Sequence, residues 1–433
     1  MISHGTVSHP VIVTGPRATG FTFAGVLLMA AIGAGRGGAD DGAAVVREIH
    51  AQPSYILAND DVEVAVTRLG GHMAPVTFDR RGRPFQPYHV SPWQDERLAN
   101  LPAAVLVPLR GDFFCLPFGG NGAAFKGERH APHGETATAA WTFVGRGRGA
   151  DGAGPDGAES LTLAVDTTVR PGKVTKTLAL KAGEPVVYSR HRIEGFAGPA
   201  PLGHHATLAL PDEEGAVAVS VSPFKLGMTN PGVFSDPANG EYQALAVGAT
   251  FTDLARVPSL FKQPAEVDCS RFPVRRGYAD LLLVVADTAK LGGGPAWTAA
   301  VNRAGGFVWF AIRDPAVLPA TAFWIENHGR HGVPWNGRNT CLGLEDVCGS
   351  FADGLVASVE PNVLSRQGVR TAVELDAAKP TDIRYAQGAA RVPAGFDRVS
   401  RIDFSKPGAM TLVADSGATV VVPIDHAYVM GGR

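Results

Sequence analysis

The chain has 433 residues, 45% hydrophobic and 18% charged, with 39 basic against 41 acidic side chains for a net charge of −2. Such a composition is globular and charge-poor, and it lacks the basic excess or Lys/Arg runs that a nucleic-acid partner would require. Glycine (53) and proline (32) make up about a fifth of the chain, short of the roughly 25–30% that marks low-complexity disorder and consistent with many short strands joined by tight turns.

Residues 1–50 read as a leader with a disordered tail. Arg17 is followed by the apolar stretch ATGFTFAGVLLMAAIGAG, of secretory-signal length, and Ala39 is placed to precede a cleavage point. Met29, inside that stretch, is an alternative start. The expectation is a periplasmic or secreted protein, or a cytoplasmic one if the stretch is not a signal. No later segment reaches the roughly 18 consecutive apolar residues of a membrane span, so no membrane partner is expected once the leader is removed. The oligomeric state is left open.

From Tyr55 onward the period is two rather than 3.6. Val62, Val64 and Val66 alternate with Glu63, Ala65 and Thr67, the signature of a strand. The segments 161–169, 174–180, 186–193, 216–222 and 281–287 read the same way, with turns such as Pro171-Gly172 and Ala182-Gly183 between them. Trp297 to Ile312 reads as a hairpin turning at Arg303 to Gly306, and Thr411 to Val422 as another turning at Asp415 to Gly417. Ser91 to Asn100 and Ser350 to Ser358 are the only helical candidates, and 145–159 reads as a flexible loop. No fixed-period repeat supports a propeller or solenoid. The fold class is therefore all-β, a large antiparallel two-sheet β-sandwich with few short helices, occupying 51–433 as one domain with 386–433 as a C-terminal extension.

Reactive side chains concentrate in three segments. Gly111 to Trp141 holds His130 and His133; the run PLGHHATLALP holds His204 and His205; Trp324 to Phe351 holds Glu326, His328, His331, Trp335, Arg338 and Glu345. Glu345 lies among apolar neighbours on a strand, where desolvation would raise its pKa and suit it to act as a base near neutral pH; an outward-facing strand glutamate is the structural alternative. His204 and His205 must point to opposite faces of an extended segment, so at most one enters a given pocket. His328-x-x-His331 raises a metal site, but neither H-E-x-x-H nor a spaced Cys/His set is present, and no metal or cofactor is expected. Cys341 and Cys348 either pair in an oxidising compartment or stay reduced as small apolar residues.

Together the three segments resemble the aldose 1-epimerase and galactose mutarotase-like superfamily over roughly residues 55–385. H-A-T-L-A-L from His205 is similar to the family's H-T-Y-F-N-L, and Leu342 to Glu345 resembles its strand ending in a glutamate. His133-Gly134 followed by Trp141 resembles its His-Gly…Trp segment, and the run 362–376 its closing strand. The order along the chain, and the 140 residues between His205 and Glu345, also fit. The resemblance implies His205 as general acid at the ring oxygen of a sugar and Glu345 as general base at its anomeric hydroxyl, with the two side chains lining one cleft about one sugar ring apart. It implies His133 as a hydrogen-bonding residue for the sugar. Arg129, His204, Trp335 and Glu326 are further substrate-binding candidates by position. The family's Asn-Arg pair ahead of His-Gly is absent, the neighbourhood reading Phe118 to Gly122 without an Arg, and Asp268 and Asp280 are positional candidates only for its substrate-binding Asp. The implied partner is a small sugar or oligosaccharide. Two alternatives stand beside anomer interconversion: a non-catalytic sugar-binding protein, and a glycoside hydrolase or polysaccharide lyase on a related sandwich. A hydrolase would need a second carboxylate roughly 5–9 Å from Glu345, for which Glu326 is the candidate because Asp346 faces away.

Overall fold

The computed structural model describes residues 44–148 and 154–431, so the expected leader lies outside the described residues except for its last few positions. Those last positions are ordered: Val46–Ile49 is a strand, paired with Gln52–Ala58. A four-stranded sheet runs from there through Val62–Thr67 and Met73–Phe78.

Two larger antiparallel sheets follow. The first has seven strands, with Leu202–Ala209, Thr340–Cys348, Ala320–Asn327 and Tyr278–Ala286 as successive neighbours at its centre. The second has nine strands and carries both expected hairpins' first member, Ala296–Asn302 with Phe307–Arg313. Period-two alternation gives each strand of the first sheet two different faces. Leu282, Val284, Phe323, Ile325, Leu342 and Leu344 turn inward and join Leu163, Val187 and Ile383 of the second sheet and Val64 and Val76 of the third in one core. Leu281, Leu283, Ala322, Trp324, Cys341 and Val347 turn outward, where Trp93, Val105, Leu106, Leu109 and Phe113 from the irregular 93–118 excursion cover them. The site lies on this outer, covered face.

The helices are short, the longest among the described residues spanning five, Leu355–Val359 and His426–Met430. The described residues form one compact unit. Three sequence boundaries need correction. Thr142–Arg148 is an edge strand paired with Glu159–Thr167, not the start of a loop, because an edge ladder needs backbone bonds more than apolar side chains. Thr381–Arg391 lies inside the nine-stranded sheet between Phe307–Arg313 and Val186–Glu194, so the C-terminal extension begins only after it. That extension is a three-stranded sheet whose Met410, Leu412 and Val422 pack on Tyr188, Phe310 and Ala386 at the outer face of the nine-stranded sheet. The run 362–376, taken for a closing strand, contributes only Val373–Leu375, paired with Gly198–Ala200.

Cys341 and Cys348 are both free and buried. They sit on one strand at odd separation, so their side chains leave opposite faces, Cys341 toward the covered side and Cys348 toward the sandwich core.

Candidate active site

His205 and Glu345 are cross-strand partners in the Leu202–Ala209 and Thr340–Cys348 pair. Directly opposed residues on antiparallel strands project the same way with their Cβ atoms about 5 Å apart, and here the side chains meet, His205 Nε2 lying 3.1 Å from Glu345 Oε1. The expected separation of one sugar ring is therefore wrong: the two side chains stand side by side. Gly343 makes the room. A Cβ there would fall 2.6 Å from Glu345 Oε1 and 3.0 Å from Trp324 Cβ.

The His205 ring is fixed on several sides. Phe113 stacks on it at 4.5 Å, His133 meets it edge-on at 4.9 Å, and its Nδ1 lies 3.2 Å from Thr207 Oγ1. His133 has a positive φ of 60°, in the left-handed region that costs a non-glycine residue. Hydrogen bonds hold it there, its N–H donating to the Gly119 carbonyl and its own carbonyl accepting from Leu116 N–H. Gly134 follows at φ 76°, where a Cβ would strike the Leu116 carbonyl at 1.9 Å. The His-Gly dipeptide is thus a backbone requirement as well as a source of imidazole.

These groups open into a cavity of about 200 Å³. Its polar lining consists of His133, His205, Glu345 and Arg330; its walls are Trp324, Trp335, Leu281, Phe234, Val105, Leu106, Leu109, Pro132 and Ala352. Desolvation in this apolar setting pushes the Glu345 carboxyl up to about 8. The same desolvation drives the His133 imidazole down to about 4 and holds His205 well below the usual histidine value, the neighbouring His133 adding to the effect. At neutral pH both rings are therefore uncharged and the carboxyl holds its proton. The protonated carboxyl and the neutral ring thus stand as a proton donor and a proton acceptor within ion-pair range of each other.

The sandwich matches solved structures. A candidate aldose 1-epimerase from Escherichia coli K12 aligns over 78% of this chain and 99% of its own, at 13% identity and a TM-score of 0.50. Another from Klebsiella pneumoniae subsp. pneumoniae aligns over 79% of this chain and 80% of its own, at 12% identity and a TM-score of 0.51. The chain has the galactose mutarotase-like fold. The sequence matches no family model and no curated protein.

On this mutarotase-like sandwich the other expected site residues scatter. Trp335 lines the cavity, its indole edge-on to Trp93 at 4.7 Å and to Trp324 at 5.6 Å. His204 does not line it: one residue before His205 on the strand, it faces inward, fully buried, with Nδ1 2.9 Å from Asp112 Oδ2 and its ring stacked on Tyr385 at 4.0 Å. Burial would raise the Asp112 carboxyl, but His204 and Gln387 hold it below its ordinary value. Arg129 is exposed and also stands outside the cavity lining.

Glu326 shares the outer face of the sheet but serves the loop above it. Its Oε1 accepts from the backbone N–H groups of Gly329 and Arg330, and burial pushes its carboxyl up to about 7. Asp280 turns away from the cavity and caps the Ala244 and Leu245 N–H groups, leaving Leu281 as the cavity-facing neighbour. His328 is committed to structure, with Nδ1 2.8 Å from the Gly337 carbonyl and Nε2 2.7 Å from Thr340 Oγ1. Among the described residues no group of three or more His, Cys, Asp or Glu side chains is arranged to hold a metal.

Sequence reading missed Arg330, which enters the cavity from the 328–338 loop with its guanidinium 4.9 Å from the Phe234 ring and 3.7 Å from Glu241 Oε2. Its only signal was a basic residue flanked by glycine and histidine in Gly329 to Gly332. It also missed Phe113, which stacks on His72 as well as His205.

Proposed function

We propose that the cavity binds a reducing sugar and that His205 and Glu345 interconvert its anomers. The observation that carries this reading is the 3.1 Å contact between two almost fully buried side chains at the cavity. In mutarotation the anomeric O1 hydroxyl loses a proton while the ring oxygen O5 gains one. Both oxygens are bonded to C1, so a side-by-side pair reaches them from one side of the sugar. Passing the Glu345 proton to His205 Nε2, 3.1 Å away, makes Glu345 a carboxylate and His205 an imidazolium. Glu345 then takes the O1 proton, His205 Nε2 gives its proton to O5, and the C1–O5 bond breaks to the open aldehyde. Rotation about C1–C2 and closure on the other face, with each proton returned, gives the other anomer and restores the pair. No charge leaves the cavity and no cofactor enters the balance. General acid–base catalysis of this kind is worth roughly 10²–10⁴ per group.

A glycosidase dyad fits less well. Glu326 lies four residues along its strand from Ala322, the partner of Glu345, an offset of about 13 Å at strand rise, against the roughly 5–9.5 Å such dyads use. Asp346 is buried on the opposite face, bound by Arg313, Thr321 and Tyr385.

The test is polarimetry of freshly dissolved aldoses. Faster optical-rotation drift with the wild-type protein, lost in Glu345→Gln, supports the reading. A flat trace across sugars that bind favours a non-catalytic sugar-binding protein. New reducing ends from a polysaccharide, or the absorbance of an unsaturated uronate, would replace the reading with hydrolysis or elimination.

A further inference from the structure

The cavity is poor in partners for hydroxyl groups. Once His205 and Glu345 are occupied by O5 and O1, the polar side-chain groups left in its lining are His133, Arg330 and the indole N–H donors of Trp324 and Trp335, so acceptors for hydroxyl protons are scarcer than donors. His133 has one ring nitrogen turned to the backbone, Nδ1 lying 3.4 Å from Gly119 N. Arg330 is already shared with Glu241 and Phe234. The remaining wall offers Val105, Leu106, Leu109, Phe234, Leu281 and Ala352, with no Ser, Thr, Asn, Gln or Asp among the lining residues. A common hexose brings more hydroxyl protons than these side chains can accept, and a hydroxyl buried without an acceptor loses its water without replacement. Each such loss weakens binding by about tenfold or more.

Resting on the reading of this cavity as a reducing-sugar site, we infer that its substrate class is a sugar with a free anomeric hydroxyl whose other ring positions are largely deoxygenated or capped by alkyl or acyl groups. The apolar wall meets the capped face, the two indoles of Trp324 and Trp335 meet ring C–H groups, and Arg330 meets the one polar substituent that remains. Unsubstituted glucose or galactose is a poor ligand for the same cavity.

The experiment uses the wild-type protein and two probes that both mutarotate: D-glucose and 2,3,4,6-tetra-O-methyl-D-glucose, which keeps only the anomeric hydroxyl. Binding is measured by calorimetry and turnover by polarimetry, so affinity and catalysis are read separately. The expected result is a Kd for the methylated sugar at least tenfold below that for glucose, weakened in Trp335→Ala, a variant of a half-buried loop side chain. Equal or tighter binding of glucose overturns the inference, as does failure of the methylated sugar to bind at millimolar concentration. Affinity that Trp335→Ala leaves unchanged overturns it too, by placing the sugar elsewhere. Preferential binding with no acceleration leaves the inference standing and removes the epimerase reading; acceleration of glucose without preference does the reverse.

Discussion

His205 Nε2 and Glu345 Oε1 lie 3.1 Å apart across two neighbouring antiparallel strands, both side chains nearly devoid of solvent exposure. In water a glutamate and a histidine at that distance would form an ion pair near neutral pH. Here burial raises one partner and lowers the other, so the proton sits on the carboxyl and the pair is neutral. A neutral pair costs far less to bury than a charged one, and it keeps an acid and a base one proton shift apart.

Replacing Glu345 by Gln removes the mobile proton while keeping size and polarity. Mutarotation by Glu345→Gln is expected to fall by roughly 10²–10⁴, with sugar affinity by calorimetry changed only a few-fold. A variant retaining more than a tenth of wild-type activity would exclude Glu345 from the proton transfers.

The same carboxyl sets a pH limit. Its pKa is raised to about 8 in the folded protein, so its stabilising contribution is complete below the unfolded value and is lost as pH rises through about 8. The slope in that window is about 1.4 kcal/mol per pH unit. Wild-type stability should therefore fall from acidic pH toward about 8 more steeply than that of Glu345→Gln, and activity should decline above about 8 as the Glu345 proton leaves. Urea titrations across the range check the first, rate profiles the second. Parallel stability curves for the two proteins would contradict the assignment.

His204 and His205 are adjacent, yet they should fail in different ways. His204→Asn strips the Asp112 carboxylate of its imidazole partner inside the core, a loss of about 3–5 kcal/mol when one member of a buried pair is removed. His205→Asn removes a cavity-lining group and is expected to cost activity with a much smaller change in the urea midpoint. Catalytic loss at unchanged stability in the His204 variant would reverse the two roles.

The split between those histidines shows how far the sequence could be read. Alternation at Val62 to Val66, Leu161 to Val169 and Leu281 to Asp287 identified strands because a sheet face imposes period two. It also required His204 and His205 to diverge. It could not say which of them faced the core, since both faces of this strand are buried. Nor does periodicity fix register, and the contact between His205 and Glu345 is a consequence of register alone. Much of the cavity wall comes from irregular segments around Val105 to Leu109, Phe234 and Arg330, where no period exists to read. Arg129 was favoured for its place beside His133, but the tight Phe125–Glu128 bridge turns that stretch of chain to the surface.

Gly343 tests the geometry without touching either reacting group. An alanine Cβ would sit 2.6 Å from Glu345 Oε1 and 3.0 Å from Trp324 Cβ. The Trp324 contact is to a rigid Cβ on the neighbouring strand and cannot relax cheaply, whereas the carboxyl can swing on its χ angles. Glu345 is therefore the group that gives way, and it gives way by leaving His205. Gly343→Ala is expected to cost about 1–3 kcal/mol of stability and to reduce mutarotation at least as far as a tenfold loss. Its pH–rate profile should lose the fall near pH 8, because a carboxyl displaced toward solvent returns toward its ordinary pKa. Full activity with an unshifted profile would mean that the contact between His205 and Glu345 is incidental to the chemistry.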